Sequence, residues 1–228
     1  MAYPTMQQAQ GMDINSILGT MVDRGIWPYY DTAFLDITSA GGSAAVSAQY
    51  NFFAIPVNAI DPVTGLAKTR VQTNMVAANT FGATRCFIME ALGFGFPGWL
   101  SKVDVDSIIE NCFIQFSIDN KVFYEGPLYL WPGGFGLMGA ATQTAEESWT
   151  LGLPIPQAMR RFGLKFAKYI APLIPFYCNL YFPTNQPTLT FPGVAPPGAI
   201  TNPSNTHVTV PIIKAMIDGL TDRSVQKN

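Results

Sequence analysis

The stretch Cys112–Ile118, CFIQFSI, alternates apolar and polar side chains along most of its length. Successive side chains of an extended strand point to opposite faces, so this pattern predicts a strand with one face in a core. A second stretch, Phe176–Phe182, FYCNLYF, repeats the pattern and places on one face Phe176, Cys178, Leu180 and Phe182. Both stretches are therefore predicted to be half-buried strands.

Turn signals separate these stretches from further runs with β character. Asp119-Asn120 tolerates positive φ and predicts a short hairpin, while Pro172 and Pro175 lack N–H groups and predict the end of a strand pairing. The 20 glycines and 18 prolines are spread along the chain, which favours many short strands over a helical bundle. The other predicted strands are Thr32–Thr38, Val46–Val57, Arg70–Ala78, Thr84–Leu92, Val122–Leu130, Leu164–Leu173 and Val208–Ile217.

The strands from Val46 to Ile217 number eight, which is one way of counting an antiparallel jelly-roll sandwich. The predicted fold is therefore all-β, with a single jelly-roll domain over residues 32–228. Residues 1–31 are predicted to be an N-terminal arm with a short helix, capped by Asp13 or Asn15 and ended by Gly25 and Pro28. Two long turn-rich loops between strands are predicted to contact other subunits: Trp131–Gln157 and Thr184–Asn205.

The composition indicates a surface that is covered by partners. Charged residues make up 12% of the chain and hydrophobic residues 48%, which leaves little charge to cover a monomer. The most apolar stretches, Cys86–Leu100 and Phe162–Phe182, are interrupted by charged residues and prolines, so a membrane-spanning helix is not expected. The first residues carry no secretion signal, and we expect the chain to be made and kept in a cytoplasm until assembly.

The chain offers few residues for catalysis or metal binding. Its one histidine, His207, lacks a signature nucleophile and is predicted to face solvent or to hydrogen-bond locally. Cys86, Cys112 and Cys178 are widely spaced and are predicted to be buried thiols in strands. Two G-x-G-x-x-G strings occur, but Pro97 and Trp99 crowd the first and no helix is expected after it; the second lacks an alternating βαβ context. No catalytic residue, cofactor, metal or small-molecule substrate is predicted.

Two clusters of charge have alternative interpretations. Asp104, Asp106 and Glu110 are predicted to form a solvated turn, with calcium binding as the alternative. The basic cluster is predicted to be a solvated or interface edge, and its alternative is contact with nucleic acid or anionic lipid headgroups. Its members are Arg160, Arg161, Lys165 and Lys168.

Five segments carry a resemblance to a known family: IIENCFIQFSIDNKVFYEGPLYL, WPGGFG, GLPIP, YIAPLIPFYCNLYFP and HVTVPIIKAMIDGL. In the pattern of these segments the chain resembles, over about Val46–Arg223, the jelly-roll capsid proteins of tailless icosahedral phages and related viruses. The resemblance implies cyclic capsomers on an icosahedral lattice, often over an internal membrane, with the arm and long loops joining neighbours. It carries no signature motif, so no site residues are transferred. The chain has the length of a single jelly roll, whereas the group also includes double-roll members. This difference puts a pseudo-hexameric trimer in doubt.

The function predicted is that of a non-catalytic coat subunit that self-assembles into capsomers of a virion. Its partners are copies of itself and other capsid proteins, with internal membrane lipid or genome as further partners of the basic cluster. The alternative is a carbohydrate- or receptor-binding jelly-roll module that uses Trp131, Trp149, Tyr177 and Tyr181 as sugar platforms. An enzyme is the least supported class, because nothing singles out a carboxylate pair among Glu90, Glu110 and Glu125.

Overall fold

The computed structural model describes residues 24–37, 42–97, 99–131, 137–139, 149–151, 160–161, 167–190, 198–201 and 207–222. These residues form mainly β-strands, and every strand pair among them is antiparallel, which confirms the all-β prediction. The elements are β1 (Arg24–Ile26), β2 (Tyr29–Ile37), β3 (Ser43–Ala45), β4 (Gln49–Phe52), β5 (Phe87–Gly95), α1 (Lys102–Asn111), β6 (Phe113–Ile118), β7 (Lys121–Pro127), a 3-10 turn (Leu128–Leu130), β8 (Leu137–Gly139), β9 (Trp149–Leu151), β10 (Arg160–Arg161), β11 (Lys168–Ile170), β12 (Phe176–Tyr181), β13 (Thr188–Thr190), β14 (Ile200–Thr201) and β15 (Val208–Asp222).

Two sheets contain the long strands. In the first sheet β15 lies in the centre, with β2 and β1 along one edge and β5 along the other, and β5 in turn pairs with β11 and β10. The second sheet has the order β4-β12-β6-β7. The short strands pair as β13 with β3, β8 with β9, and β14 with β15.

The pairing of the long strands is nested along the chain. The first, β2, pairs with the last, β15; β4 pairs with β12; β5 pairs with β10 and β11; and β6 pairs with β7 through a tight hairpin. Successive pairs in this series alternate between the first and the second sheet. The chain is thus a long antiparallel ribbon that is folded over on itself.

The core lies between the two sheets. The alternation predicted for Cys112–Ile118 and Phe176–Phe182 is confirmed, because alternate residues of β6 and β12 are buried: Ile114, Phe116 and Ile118, and Phe176, Cys178 and Leu180. Phe52 of the second sheet meets Phe94 of the first, with ring centroids 5.9 Å apart. Such aromatic pairs contribute about 0.5–1.5 kcal/mol each beyond the burial of their surface.

The predicted turns are also found. Asp119 adopts φ of +54° between the paired residues Ile118 and Lys121, as the predicted hairpin requires. Pro172 and Pro175 lie in the connection between β11 and β12. The Leu164–Leu173 prediction is shorter in the structure, since β11 covers Lys168–Ile170 and residues 162–166 lie outside the described part.

The predicted solvated turn at Asp104, Asp106 and Glu110 is wrong, because these residues belong to the helix α1. Ser101 caps this helix: its Oγ accepts a hydrogen bond from the Asp104 backbone N at 3.1 Å and donates one to Asp104 Oδ2 at 2.8 Å. A serine cap of this kind stabilises a helix by about 1 kcal/mol. The cap and the acidic residue in the first turn are the sequence signal that the prediction missed.

The predicted strand Arg70–Ala78 is also wrong. Residues 53–86 contain no named strand, and part of this segment covers the free edge of β2. The Tyr30 backbone N donates to Asn74 Oδ1 at 2.9 Å, and the Tyr30 carbonyl accepts from the Asn74 backbone N at 3.3 Å. An uncovered edge strand invites pairing with other chains, so this segment protects β2 from such pairing.

A buried ion pair fixes the same segment to β2. Lys68 Nζ lies 2.7 Å from Asp31 Oδ1, donates to the Thr32 carbonyl at 3.0 Å, and lies 3.6 Å from Asp61 Oδ2. The other Asp31 oxygen accepts from the Phe53 backbone N at 2.8 Å. Burial raises the pKa of Asp31, and the charge of Lys68 opposes that shift.

The predicted arm and loops are described only in part. Residues 1–23, which include the predicted helix, lie outside the described residues, whereas residues 24–31 contribute to β1 and β2. Strand β2 thus begins at Tyr29, ahead of the predicted Thr32. The first predicted loop contains β8 and β9, and the second contains β13 and β14.

Candidate functional site

The outer face of the second sheet is an extended surface that carries little charge. In β4, β6 and β12 its side chains alternate with buried residues, so they point away from the core. In β7, Val122 and Glu125 share this face because they pair with Ser117 and Gln115 of β6. We call this surface the neutral face; its residues are Gln49, Asn51, Phe113, Gln115, Ser117, Val122, Glu125, Tyr177, Asn179 and Tyr181. Glu125 is the charged residue among them.

The strand register aligns polar residues in a row across the neutral face. Asn51 of β4 pairs with Asn179 of β12, which pairs with Gln115 of β6, which pairs with Glu125 of β7. Side chains at directly paired positions lie about 5 Å apart, within reach of one another. The row therefore presents three amides side by side and places its one carboxylate on the edge strand.

Aromatic residues lie on both sides of this row. Tyr181 is paired with Phe113 on one side, and Tyr177 is paired with Ser117 on the other. Tyrosine is enriched and charged residues are depleted in the centres of protein interfaces, because neutral groups cost less to remove from water. The neutral face thus has the composition of a surface that makes contacts.

The four aromatic residues proposed as sugar platforms are not all available. Tyr177 and Tyr181 lie on the neutral face, but Trp131 is buried and its ring centroid lies 5.7 Å from that of Tyr124. The side chain of Trp149 lies outside the described residues. Trp131 is therefore a core residue.

The basic cluster is brought together only in part. Lys168 Nζ lies over the rings of Phe123 and Tyr124, at 5.1 Å and 5.8 Å from their centroids. Burial, followed by the charge of Lys121, lowers the pKa of Lys168. Lys121, which the sequence analysis did not single out, lies over Phe123 at 5.4 Å. Arg160 and Arg161 form β10, but their side chains and the whole of Lys165 lie outside the described residues.

Other candidate residues occupy ordinary structural positions. His207 immediately precedes β15 and is partly exposed, and its Nδ1 lies 2.9 Å from Oδ2 of Asp36 in β2, a partner that is distant in the sequence rather than local. The candidate acids are divided among three elements: Glu90 in β5, Glu110 in α1 and Glu125 in β7. Within the described ranges, no group of three or more His, Cys, Asp or Glu residues has the arrangement of a metal site.

All three cysteines are buried thiols, as predicted, although only Cys178 lies inside a strand. Cys86 immediately precedes β5 and Cys112 follows α1. Burial raises the pKa of Cys112 and of Cys178, which keeps both in the unreactive thiol form.

The first G-x-G-x-x-G string requires one correction. The helix α1 does follow it, contrary to the prediction, but Gly93 and Gly95 lie within β5 and pair with Met216 and Lys214 of β15. A phosphate-binding loop needs these glycines in a turn between a strand and a helix of a parallel sheet, and β5 pairs only in the antiparallel sense. Of the second string, Gly139 is in β8.

Among the described residues, no helix is long and apolar enough to cross a membrane. The comparisons with known proteins found nothing: no family model, curated protein or solved structure matches the chain.

Proposed function

We propose that the chain is a jelly-roll coat subunit that is made in a host cytoplasm and self-assembles into capsomers of a virus particle. The observation that carries this proposal is the neutral face. A sheet face that is exposed to water in a monomer ordinarily carries several charged residues, whereas the neutral face carries one, Glu125. With charged residues at 12% of the whole chain, burial of this face against other subunits accounts for its composition.

The strand order supports the jelly-roll part of the proposal. Numbered 1 to 8 along the chain, the strands are β2, β4, β5, β6, β7, β10 and β11 counted together, β12 and β15. In these numbers the order is 1-8-3-6 in the first sheet and 2-7-4-5 in the second. An antiparallel ribbon folded into two sheets gives this nesting, and the jelly roll is such a double-sheet arrangement, common in viral capsids and lectins. The short strands β3, β8, β9, β13 and β14 lie in the connections.

Assembly is tested by the size of the particles formed by the full chain and by a variant of the neutral face. Asn179→Lys places a charge in the middle of the amide row, where contact with another subunit would have to desolvate it. Val103→Lys is the matched control, since Val103 is an exposed residue of α1 outside the neutral face. Light scattering and negative-stain microscopy give the sizes.

We expect the unmodified chain and Val103→Lys to form multi-subunit particles, and Asn179→Lys to shift to smaller species. A compact monomer that persists at high concentration of the unmodified chain would overturn the coat proposal. Particles of unchanged size in Asn179→Lys would remove the neutral face as the contact surface.

A carbohydrate- or receptor-binding module is the second candidate. The observation in its favour is that Tyr177 and Tyr181 lie on the same face as the amide row, where rings stack on sugars and amides bond to hydroxyls. A glycan array distinguishes the two: a specific neutral glycan whose binding is lost in Tyr177→Ala supports this candidate, and an array with no binder removes it.

Contact with genome or internal membrane lipid is a further part of the coat proposal, through the basic cluster. Lys168 is engaged with Phe123 and Tyr124, so this contact would depend on Arg160, Arg161 and Lys165. Removal of all three positive charges by glutamine tests it. Unchanged retention on anionic vesicles and on nucleic acid would contradict this contact.

A further inference from the structure

A cavity of about 670 Å³ lies between the β1–β2 connection and the segment 53–86. Its walls include Trp27, Tyr30, Asn58, Arg70, Asn74 and Arg85. Small-molecule sites in proteins have volumes of about 300–1,000 Å³, so the cavity is large enough for one or two sugar rings. None of its lining residues belongs to the neutral face.

Hydrogen bonds hold the walls of this cavity in place. The Asn74 side chain accepts from the Tyr30 backbone N at 2.9 Å and donates to the Pro28 carbonyl at 2.8 Å. The Tyr30 hydroxyl donates to the carbonyl of Arg70, and the Asn58 backbone N donates to the Lys68 carbonyl at 2.9 Å. The cavity therefore exists before any ligand binds, which reduces the entropy lost on binding.

The charge on the walls is positive. Arg70 and Arg85 are both exposed, and neither guanidinium takes part in an ion pair or hydrogen bond within the described residues. Among the residues that the structure describes, no aspartate or glutamate lines the cavity. The two arginines make the charge of this site positive, whereas the net charge of the whole chain is -2. A guanidinium presents a planar fork of N–H donors that matches a carboxylate or phosphate.

The cavity also has an apolar platform. Trp27 is 47% exposed although it is the largest apolar side chain of this region, and Val76, which also lines the cavity, is 81% exposed. The backbone N of Trp27 donates to the Gly219 carbonyl at 3.0 Å, which fixes the residue to the end of β15. An indole ring in the wall of a cavity can stack on the apolar face of a sugar ring.

We propose that this cavity binds an acidic sugar, with the ring against Trp27 and its carboxylate or phosphate between Arg70 and Arg85. The ligand is bound without being transformed. The proposal does not depend on the coat function, because the site is complete within one chain and its test reads binding whatever the assembly state.

The test uses the full chain and pairs of sugars that differ in charge. Glucuronate and glucose share a ring but differ in the carboxylate; glucose 6-phosphate tests phosphate in its place; sialyllactose and lactose test an acidic residue at the end of a glycan. Calorimetry and saturation-transfer NMR measure binding. Arg70→Gln, Arg85→Gln and Trp27→Ala are the cavity variants, and Lys121→Gln, which removes a positive charge elsewhere, is the control.

We expect at least one acidic sugar to bind about tenfold or more tightly than its neutral partner, and to bind less tightly as salt is raised. Each cavity variant should weaken that binding about tenfold, while Lys121→Gln leaves it unchanged. Circular dichroism checks that the exposed substitutions leave the fold intact. The proposal would be overturned if charged and neutral sugars bound equally, or if Lys121→Gln weakened binding as much as the cavity variants. It would also be overturned if no binding were seen at about 10 mM, which is ten times a millimolar Kd.

Discussion

Lys68 and Asp31 form an ion pair inside the protein, with Lys68 Nζ 2.7 Å from Asp31 Oδ1 and side chains that are 4% and 1% exposed. The pair joins an irregular segment to the edge strand β2, and Thr32 and Phe53 supply further hydrogen bonds to it. Each charge is thus compensated by its partner and by backbone groups. Removal of either partner alone leaves the other charge buried.

Lys68→Met should lower the free energy of unfolding by about 3–5 kcal/mol, because Asp31 then remains buried without its counter-charge. Urea unfolding measures the change. The double variant Asp31→Asn/Lys68→Met should recover part of the loss, since no unpaired charge is left at Asp31. A loss below about 1 kcal/mol in Lys68→Met would show that the pair does not fix the segment to β2.

Gly219→Ala should be strongly destabilising. An added Cβ would lie 2.0 Å from the carbonyl oxygen of Ile88 on the neighbouring strand β5, so the two central strands of the first sheet would have to separate locally. The cost is about 1–3 kcal/mol or more. Gly82→Ala is the matched control, because nothing lies within 4 Å of an added Cβ there. Thermal unfolding of both variants tests the difference, and equal midpoints would contradict the close approach.

The thiols should be protected in the folded protein. Cys86, Cys112 and Cys178 are buried, and burial raises the pKa of the latter two. Since the thiolate is the reactive form, a chromogenic disulfide reagent should react slowly with all three at neutral pH and rapidly in guanidinium chloride. Rapid reaction of one or more equivalents in the native state would contradict their burial.

Alkaline pH should destabilise the fold partly through Tyr124. Burial raises the pKa of Tyr124 to about 12 from the ordinary value of 10.0. A raised folded-state pKa favours the neutral phenol, so its contribution is fully present below pH 10 and is lost as the pH rises to about 12. Tyr124→Phe should show a shallower loss of unfolding free energy between these pH values, measured by urea unfolding. An unchanged slope would contradict this contribution.

The sequence predicted the parts of the fold that depend on local alternation. β6, β12 and the hairpin at Asp119 follow from period-2 patterns and turn chemistry within a few residues. The helix α1 was missed because its apolar residues do not mark one clear face, as Val103 is exposed while Asp104 is buried under the Ser101 cap. The sequence signal of this helix was the Ser101 cap together with Asp104 in the first turn.

The irregular segment and both candidate sites could not be predicted from local patterns. Val71 and Val76 gave Arg70–Ala78 a β-like composition, yet both are exposed, and the side chain of Asn74 occupies the edge of β2. The amide row depends on which residues of β4, β12 and β6 are paired across the sheet. Such register is fixed by long-range contacts that one sequence does not reveal.

The position of β15 between β2 and β5 has a consequence for how the protein acquires its structure. The strand that fills the centre of the first sheet is synthesised after all the other described strands, so during translation β2 and β5 emerge with no partner between them. Until β15 is present, the unpaired edges of β2 and β5 are open to wrong pairing and aggregation. Closure joins segments that are far apart in the described chain, so folding is expected to take milliseconds to seconds once β15 has been synthesised.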